Sequence, residues 1–227
     1  EDNDNLIELY IGQDGGVKAN PNSSFLFSAF EYVTSINGLE NLDTKNVINM
    51  NSMFSSCRKI TELELSHFKT SQVTTMVSMF GSCERLISLD LSHFDTRNVT
   101  DMSSMFGIAD PGGMRLEEIK GIEQFNTEKV IDMSRIFSNC CKLTSLDLSS
   151  WNTKNVINMM SVFRNCSSLT SLNLSNFNTS QVVNMSAMFE GCGNLVELDL
   201  SSFDTSNVTD MRFMFASGIY VGSSIMA

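Results

Sequence analysis

The two histidines of the chain could take part in metal binding. His67 and His93 lie 26 residues apart, close to Glu64 and Asp90, so two imidazoles and two carboxylates could meet around a divalent cation. The alternative is that both histidines are solvated neighbours at the end of a strand. We favour this alternative, because two imidazoles without a third fixed ligand hold a metal weakly, and we expect no metal ion and no cofactor.

Five of the six cysteines occupy one repeated position, where a sixth copy has Ala109. A position that accepts alanine favours a small apolar side chain, so we expect a buried row of free thiols. Disulfides between neighbouring copies are an alternative in a secreted protein. Zinc is disfavoured, because no CxxC pair and no histidine accompany these residues. The five cysteines are Cys57, Cys83, Cys140, Cys166 and Cys192.

The sequence shows no pattern typical of an enzyme or of a nucleic-acid-binding protein. No pair of nucleophile and base can be recognised, and the segment DPGG lacks the lysine of a phosphate-binding loop. The net charge of −11 argues against nucleic acid as a partner, because phosphate binding requires a basic surface. No apolar run reaches the length of about 18 residues that a membrane-spanning helix needs. We therefore expect no catalysis, no nucleic acid and no transmembrane segment.

All these residues belong to a repeat that the chain contains seven times. Each copy has a threonine, a valine three residues later, a methionine three residues after that, and then a pair made of an apolar residue and phenylalanine. The threonines follow one another at steps of 26, 26, 31, 26, 26 and 26 residues. A fixed period in the twenties with apolar positions in phase indicates a solenoid. The threonines are Thr44, Thr70, Thr96, Thr127, Thr153, Thr179 and Thr205.

Each copy predicts a strand, a turn, a helix and a second turn. In the copy LTSLNLSNFNTSQVVNMSAMFEGC, Leu172 and Leu174 are two residues apart and point to one face of a strand. Val182, Met185 and Phe189 have the i, i+3, i+7 spacing of an amphipathic helix. Stacked copies would form an α/β leucine-rich-repeat-like solenoid, with one parallel β-sheet on one face and helices on the other.

The repeat also predicts the limits of the solenoid. We expect an N-terminal cap in residues 1–33, seven coils in residues 34–218 and a C-terminal capping strand in residues 219–227. The single 31-residue step predicts an inserted loop near residues 107–113, where the sequence GIADPGG has turn chemistry. Gly38 and Gly121 are extra residues in two of the strands, and we interpret each as a β-bulge.

The row of threonines allows two interpretations. Exposed rows of threonine occur in ice-binding solenoids, so an ice-binding surface is one alternative. Each threonine here lies between an inward-facing phenylalanine and the predicted start of a helix. We therefore favour hydrogen bonding within the turn.

The repeats resemble those of a known family. LTSLNLSNFNTSQVVNMSAMFEGC and LISLDLSHFDTRNVTDMSSMF are similar to the 26-residue repeats of BspA-family leucine-rich-repeat surface proteins, which occur in bacteria of animal mucosae and in mycoplasma lipoproteins. The resemblance covers about Ile36 to Gly218. It implies a bacterial, secreted or cell-surface protein with a role in adhesion and host interaction.

The exposed face of the predicted sheet is rich in acidic residues. Like charges on neighbouring strands are unfavourable, so packing alone would not select Glu64 beside Asp90. One interpretation is that these charges maintain solubility. The other is an acidic, hydroxyl-rich surface that binds a basic protein segment or a sugar. The candidate ligand-binding residues are Glu62, Glu64, Asp90, Glu118, Asp147, Asn173, Glu197 and Asp199.

Together these observations predict a binding protein. We expect a monomeric module, extracellular or on the surface of a bacterium, that adheres to a host or bacterial protein or glycan through the acidic sheet face. The alternative is a structural spacer that displays another domain and has no ligand of its own.

Overall fold

The chain forms a solenoid of parallel coils, seen in a computed structural model that describes residues 7–12, 15–107 and 113–216. The residue five positions after each threonine pairs in parallel with its equivalent in the neighbouring coil, and Asn22 extends this unbroken line of bridges at its N-terminal end. Its members are Asn22, Asn49, Thr75, Asp101, Asp132, Asn158, Asn184 and Asp210. The predicted repeat register is therefore confirmed. Residues 108–112 of the predicted loop and the predicted capping strand in residues 219–227 lie outside the described residues.

Short parallel strands form part of the coils. They are β1 (Ile7–Tyr10), β2 (Val17–Lys18), β3 (Val33–Asn37), β4 (Leu42–Asp43), β5 (Ser88–Asp90), β6 (Glu118–Lys120), β7 (Ser145–Asp147) and β8 (Ser171–Asn173). β1 pairs with β3, β2 with β4, β5 with β6 and β7 with β8, all in parallel. Leu89 and Ile119 lie opposite each other and are buried, while the residues on either side of them are exposed. Over the described ranges, the single sheet that we predicted is thus four two-stranded sheets.

The prediction of helices on the opposite side is wrong. Among the described residues the only helical elements are two single 3-10 turns, Leu39–Asn41 and Ile122–Gln124. The apolar stripe itself is real, because Val182, Met185 and Phe189 are all fully buried. Their backbone, however, runs through consecutive turns, so the solenoid is a β-solenoid with turns where helices were expected.

The hydrogen bonds of this segment explain why it is not helical. Ser78 N–H donates to the carbonyl of Ser103 and Phe80 N–H to the carbonyl of Met105, both at 2.9 Å and both in the next coil. Met79 N–H instead closes a turn onto Met76, at 3.2 Å. An α-helix would direct each of these amides to a carbonyl four residues earlier. Here alternate amides join neighbouring coils, so each coil needs the next one to satisfy its backbone.

Each coil also contains residues with positive φ at the third position of its turns. Ser78 has φ 52° and Ser82 has φ 59°, and equivalent residues recur along the solenoid. Such values fit turns of type II, in which glycine is the preferred residue. A non-glycine residue costs about 1–2 kcal/mol in this conformation. The bonds to the next coil compensate for that strain.

Stacked aromatic rings fill the centre of the solenoid. One phenylalanine per coil contributes to a continuous stack whose ring centroids are 5.3–5.9 Å apart. Trp151 lies in a second aromatic column, 6.5 Å from Phe125, and its indole N–H donates to the carbonyl of Ile122 at 3.0 Å. The members of the first stack are Phe27, Phe54, Phe80, Phe106, Phe137, Phe163, Phe189 and Phe215.

The threonine row is buried and joins neighbouring coils. The first six threonines are 0–2% exposed. The hydroxyl of Thr127 donates to the carbonyl of Asn152 at 3.1 Å and accepts from the N–H of the same residue at 2.8 Å. This differs from the expected bond within the turn, because the partner belongs to the next coil. Six of the seven threonines are therefore too buried to form an ice-binding surface.

The two extra glycines do not form β-bulges. Gly38 has φ 85° and Gly121 has φ 82°, and each directly precedes one of the 3-10 turns. A Cβ atom on Gly121 would lie 2.4 Å from Cα of Ser92 in the preceding coil. The left-handed backbone and this close approach together require glycine. The extra residue is thus absorbed by a turn after the strand.

Candidate ligand-binding face

The structure places all eight candidate residues on the exposed strand side of the solenoid. Glu118, Asp147 and Asn173 are in β6, β7 and β8, next to Ile119 and Leu146, which are buried, and Leu172, which is half-buried. We call this surface the sheet face. Its residues fall into two columns with different local roles. The middle column contains Glu64, Asp90, Asp147, Asn173 and Asp199, and the flanking column contains Glu62, Glu118 and Glu197.

Side chains of the middle column cap backbone amides. Asp90 Oδ1 accepts from the N–H of Ser92 at 3.1 Å, and Asp147 Oδ1 accepts from the N–H of Ser149 at 3.0 Å. Asn173 makes the same contact with a neutral amide oxygen. Glu64 and Asp199 cap Ser66 and Ser201 in the same way, both at 2.9 Å. We expected that packing alone would not select acidic residues at these positions. The caps show that local structure does select side chains with an oxygen acceptor in this column.

Strand register also reduces charge repulsion in the middle column. Asp90 lies opposite Lys120, and Asp147 lies opposite Asn173. Hydrogen bonds from Ser92 lower the pKa of Asp90, and hydrogen bonds from Ser149 lower the pKa of Asp147. These carboxylates are therefore ionised at neutral pH.

The flanking column has no comparable structural role. Glu62 and Glu197 are exposed and make no hydrogen bond or ion pair with any residue that the structure describes. Glu118 lies 3.9 Å from the Nζ of Lys120, an exposed pair of little energetic value. A ligand could therefore bind these three glutamates without breaking a contact that stabilises the protein.

Two adjoining hollows lie on the sheet face. One, of about 330 Å³, lies between β6 and β7, and its acidic residues are Glu117, Glu118, Glu123 and Asp147. The other, of about 450 Å³, extends from β7 to the last coil, and its acidic residues are Asp147, Glu197 and Asp199. No lysine or arginine of the described chain lines either hollow. Ser145, Leu146 and Asp147 line both hollows, which therefore lie side by side on the sheet face, and we call the pair the acidic groove.

The acidic groove also has apolar walls. Val196 is 80% exposed, and Leu172 is half-buried beside it. A ligand with both positive charge and an aliphatic portion would match this surface. Sequence analysis missed Val196, Glu117 and Glu123. The sequence contains a signal for Val196 and Glu117. Both occupy a repeat position that holds threonine in other copies, Thr144 and Thr170, so each departs from the repeat pattern on the exposed face.

Both histidines of the candidate metal site, His67 and His93, are exposed. Within residues 7–12, 15–107 and 113–216, no group of three or more His, Cys, Asp or Glu side chains could hold a metal ion. A hollow beside His93 is lined by Asp95 and Arg97, which pair with each other at 2.9 Å.

The five repeated cysteines form the buried row that the sequence predicts. Each thiol donates to the carbonyl of a phenylalanine in the preceding coil, as in the 2.9 Å contact from Cys192 Sγ to Phe163 O. All are fully buried free thiols. Burial raises the pKa of Cys57 to about 11 and that of Cys192 to about 12. Because the thiolate is the nucleophile, these side chains are chemically inert at neutral pH.

Acid should destabilise the protein through the capping carboxylates. Their pKa values are lower in the folded chain than the ordinary 3.8 of Asp, so their contribution to stability is complete above that value and is lost as pH falls through the folded pKa. The urea midpoint should stay nearly constant from about pH 7 to pH 5 and drop by about pH 3. Arg212 lowers the pKa of Asp210 to about 2, so that cap should be lost last.

A variant with Asp90→Asn, Asp147→Asn and Asp199→Asn provides the control for this acid effect. It keeps an oxygen acceptor at each cap but removes the titrating proton, so its urea midpoint should fall less between about pH 5 and pH 3 than that of the wild type. An equally steep fall would show that these three carboxylates do not stabilise the fold through their charge.

Fold and surface define a class of protein: a parallel β-solenoid of L-x-x-L-x-L coils, similar in plan to leucine-rich-repeat proteins, with an acidic groove on its strand side. Residues 24–111 and 113–225 match the family described as Mycoplasma protein of unknown function, DUF285. The chain belongs to this family. The finer resemblance to BspA-family proteins is not tested by this match and stays a prediction. A comparison with curated proteins gives no match.

Solved structures give more distant similarities. The chain is 16% identical to a leucine-rich repeat protein from Bacteroides ovatus, covering 92% of this chain and 77% of that one, with a TM-score of 0.29. It is 17% identical to a chain of the Toll–Spatzle complex of Drosophila, covering 73% of this chain but only 26% of that one, with a TM-score of 0.28.

A separate property concerns membranes: among the described residues, no helix is long and apolar enough to cross a bilayer.

Proposed function

We propose that this protein is a non-catalytic binding module whose ligand occupies the acidic groove. The proposal includes a location outside the bacterial cell or on its surface and a role in adhesion, as in the BspA-type proteins that its repeats resemble. The ligand is a protein or a glycan that presents positive charge.

The proposal rests on the glutamates of the flanking column. The middle column has a structural reason to be acidic or amidic, because its side chains cap amides. Glu197 has no such reason, since it is exposed beside Val196 and bonds to no described residue. Exposed apolar area next to unpaired charge is the composition of a recognition surface. The groove also runs along stacked coils, the extended surface that solenoid proteins use for binding.

The experiment compares two charge reversals of equal size. Glu118→Lys with Glu197→Lys changes the acidic groove, whereas Glu31→Lys with Glu40→Lys changes two exposed glutamates outside both hollows. The probes are a fluorescent lysine- and leucine-containing peptide and a glycan array that includes amino sugars. We expect the groove variant to lose binding, the control variant to keep it, and the urea midpoints of both to stay close to that of the wild type.

Three outcomes would count against the proposal. Equal loss of binding in both variants would indicate unspecific attraction to net charge. Unchanged binding in the groove variant would place the binding surface elsewhere. Failure of the wild type to bind either probe, or host-cell matrix in a pull-down, would favour the alternative of a structural spacer without a ligand.

A further inference from the structure

A column of basic residues runs along one border of the sheet face. In four consecutive coils, the residue that precedes a buried aliphatic side chain is a lysine or an arginine. These residues are Lys59, Arg85, Arg115 and Lys142, and we call them the basic column. At the spacing of about 4.8 Å between parallel neighbours, their backbones span about 14 Å. The chain as a whole carries a net charge of −11, so the basic column is a local reversal of its overall charge.

The register of the coils brings these side chains together. The N–H of Arg115 donates to the carbonyl of Glu84, the residue before Arg85 in the neighbouring coil, at 3.1 Å. Two residues further along the same coils, the N–H of Glu117 donates to the carbonyl of Ile87 at 2.8 Å. Hydrogen bonds on the same coils thus fix the backbones of Arg85 and Arg115 as neighbours.

Three members of the basic column have no internal partner. Arg85, Arg115 and Lys142 are exposed, and their side chains make no hydrogen bond or ion pair with any residue that the structure describes. Glu84, beside Arg85 in the sequence, pairs instead with Arg58 at 3.0 Å. Like charges on neighbouring coils repel each other, so the basic column is unfavourable in the free protein.

The fold does not require a cation at this repeat position. In the next two coils the same position holds Ser168 and Asn194. The middle column of the sheet face differs in this respect, because its acidic side chains cap backbone amides. A charge that contributes nothing to the fold and repels its neighbours is best explained by an anionic ligand that compensates for the repulsion.

The surroundings of the basic column limit the width of that ligand. The sheet face begins two residues later in each coil, and its exposed carboxylates there include Glu62, Glu117 and Glu118. A broad polyanion, such as duplex nucleic acid or an anionic membrane, would meet these carboxylates as well as the basic column. A single narrow chain that runs along the basic column would avoid them.

We propose that the basic column binds a linear acidic glycan, a chain that carries sulfate or carboxylate groups at repeated intervals. The guanidinium groups of Arg85 and Arg115 present paired N–H donors that match two oxygens of such a group. The exposed hydroxyls of Thr61 and Thr144 lie beside the basic column and can bond to sugar hydroxyls. This site is separate from the acidic groove, and neither proposal depends on the other.

Fluorescence anisotropy with a labelled, sulfated heparin hexasaccharide tests this proposal. The test variant combines Arg85→Ser, Arg115→Ser and Lys142→Ser, because serine occupies this position naturally at Ser168. It removes three charge-assisted contacts, so its affinity should be more than about tenfold lower than that of the wild type. The affinity of the wild type should also fall as salt rises, since the contacts are exposed.

A matched control removes the same charge from other positions. Lys69→Ser, Lys129→Ser and Arg135→Ser change three exposed cations outside the basic column, so a general effect of net charge is the same in both variants. The control should lose less than about threefold in affinity. A thermal unfolding transition like that of the wild type shows that each triple variant is folded, and the three single substitutions replace a triple variant that is not.

Competitors separate the glycan from other anions. A polyglutamate peptide and a single-stranded oligonucleotide, each with as many charges as the hexasaccharide, should displace it at least about tenfold less well, and a neutral dextran should not displace it. The proposal is overturned if the wild type does not bind the hexasaccharide at low salt, or if the control loses as much affinity as the test variant. Equal displacement by the peptide or the oligonucleotide would overturn the assignment to a glycan.

Discussion

Replacing Phe137 with alanine should lower the free energy of unfolding by about 3–5 kcal/mol. Phe137 is fully buried in the middle of the aromatic stack, 5.6 Å from Phe106 and 5.8 Å from Phe163 between ring centroids. It also packs against Trp151, at 6.0 Å. Alanine would leave a cavity in a column that cannot collapse, because the neighbouring coils are held at a fixed distance by their hydrogen bonds.

Urea unfolding followed by tryptophan fluorescence measures this loss, since Trp151 reports directly on the site. Phe213→Ala is the control, because its ring is 67% exposed and its loss should change the unfolding free energy by less than about 1 kcal/mol. A loss below about 1 kcal/mol for Phe137→Ala as well would mean that the aromatic stack does not hold the coils together.

Replacing Thr127 with valine should cost about 2–4 kcal/mol, although the two side chains have nearly the same shape. The hydroxyl of Thr127 pairs with both the N–H and the carbonyl of Asn152, and the residue is only 1% exposed. Valine leaves two backbone groups without their partner, at about 1–3 kcal/mol for each buried group. The loss should therefore come from unsatisfied polar groups and not from packing.

Thr100→Val is the matched control for this substitution. The hydroxyl of Thr100 also bonds to the preceding coil, donating to the carbonyl of Thr74 at 3.2 Å, but on the surface, where water can replace it. We expect a change in unfolding free energy below about 1 kcal/mol. Equal effects of the two substitutions would show that the threonine row contributes packing only.

The sequence predicts the positions that face the core better than the path of the backbone. The register of threonines, the inward-facing leucines and the buried cysteines all follow from periodicity, which depends only on which residues avoid water. The prediction of helices was wrong because consecutive turns bury residues with the same spacing as a helix does, here Val182, Met185 and Phe189. Choosing between the two requires knowing where each amide donates, and that acceptor lies about 25 residues away in the next coil.

The candidate site was predicted in part for a similar reason. The eight sheet-face residues are all exposed on one side, because strand alternation alone decides their direction. The capping role of Asp90 and Asp147 was missed, since a carboxylate two residues before a serine was interpreted only as a charge. One of the two hollows of the acidic groove lies at the seam between β6 and β7, which belong to different sheets. That seam is a property of stacked coils and is not visible in any single repeat.

The central claim is that hydrogen bonds between coils replace those of a helix, and NMR couplings transmitted through hydrogen bonds test it most directly. In isotope-labelled protein, the amide nitrogen of Ser78 should couple to the carbonyl carbon of Ser103, and that of Phe80 to the carbonyl carbon of Met105. Couplings from these amides to the carbonyls of Thr74 and Met76, four residues earlier, would mean that the segment is helical and would contradict the account.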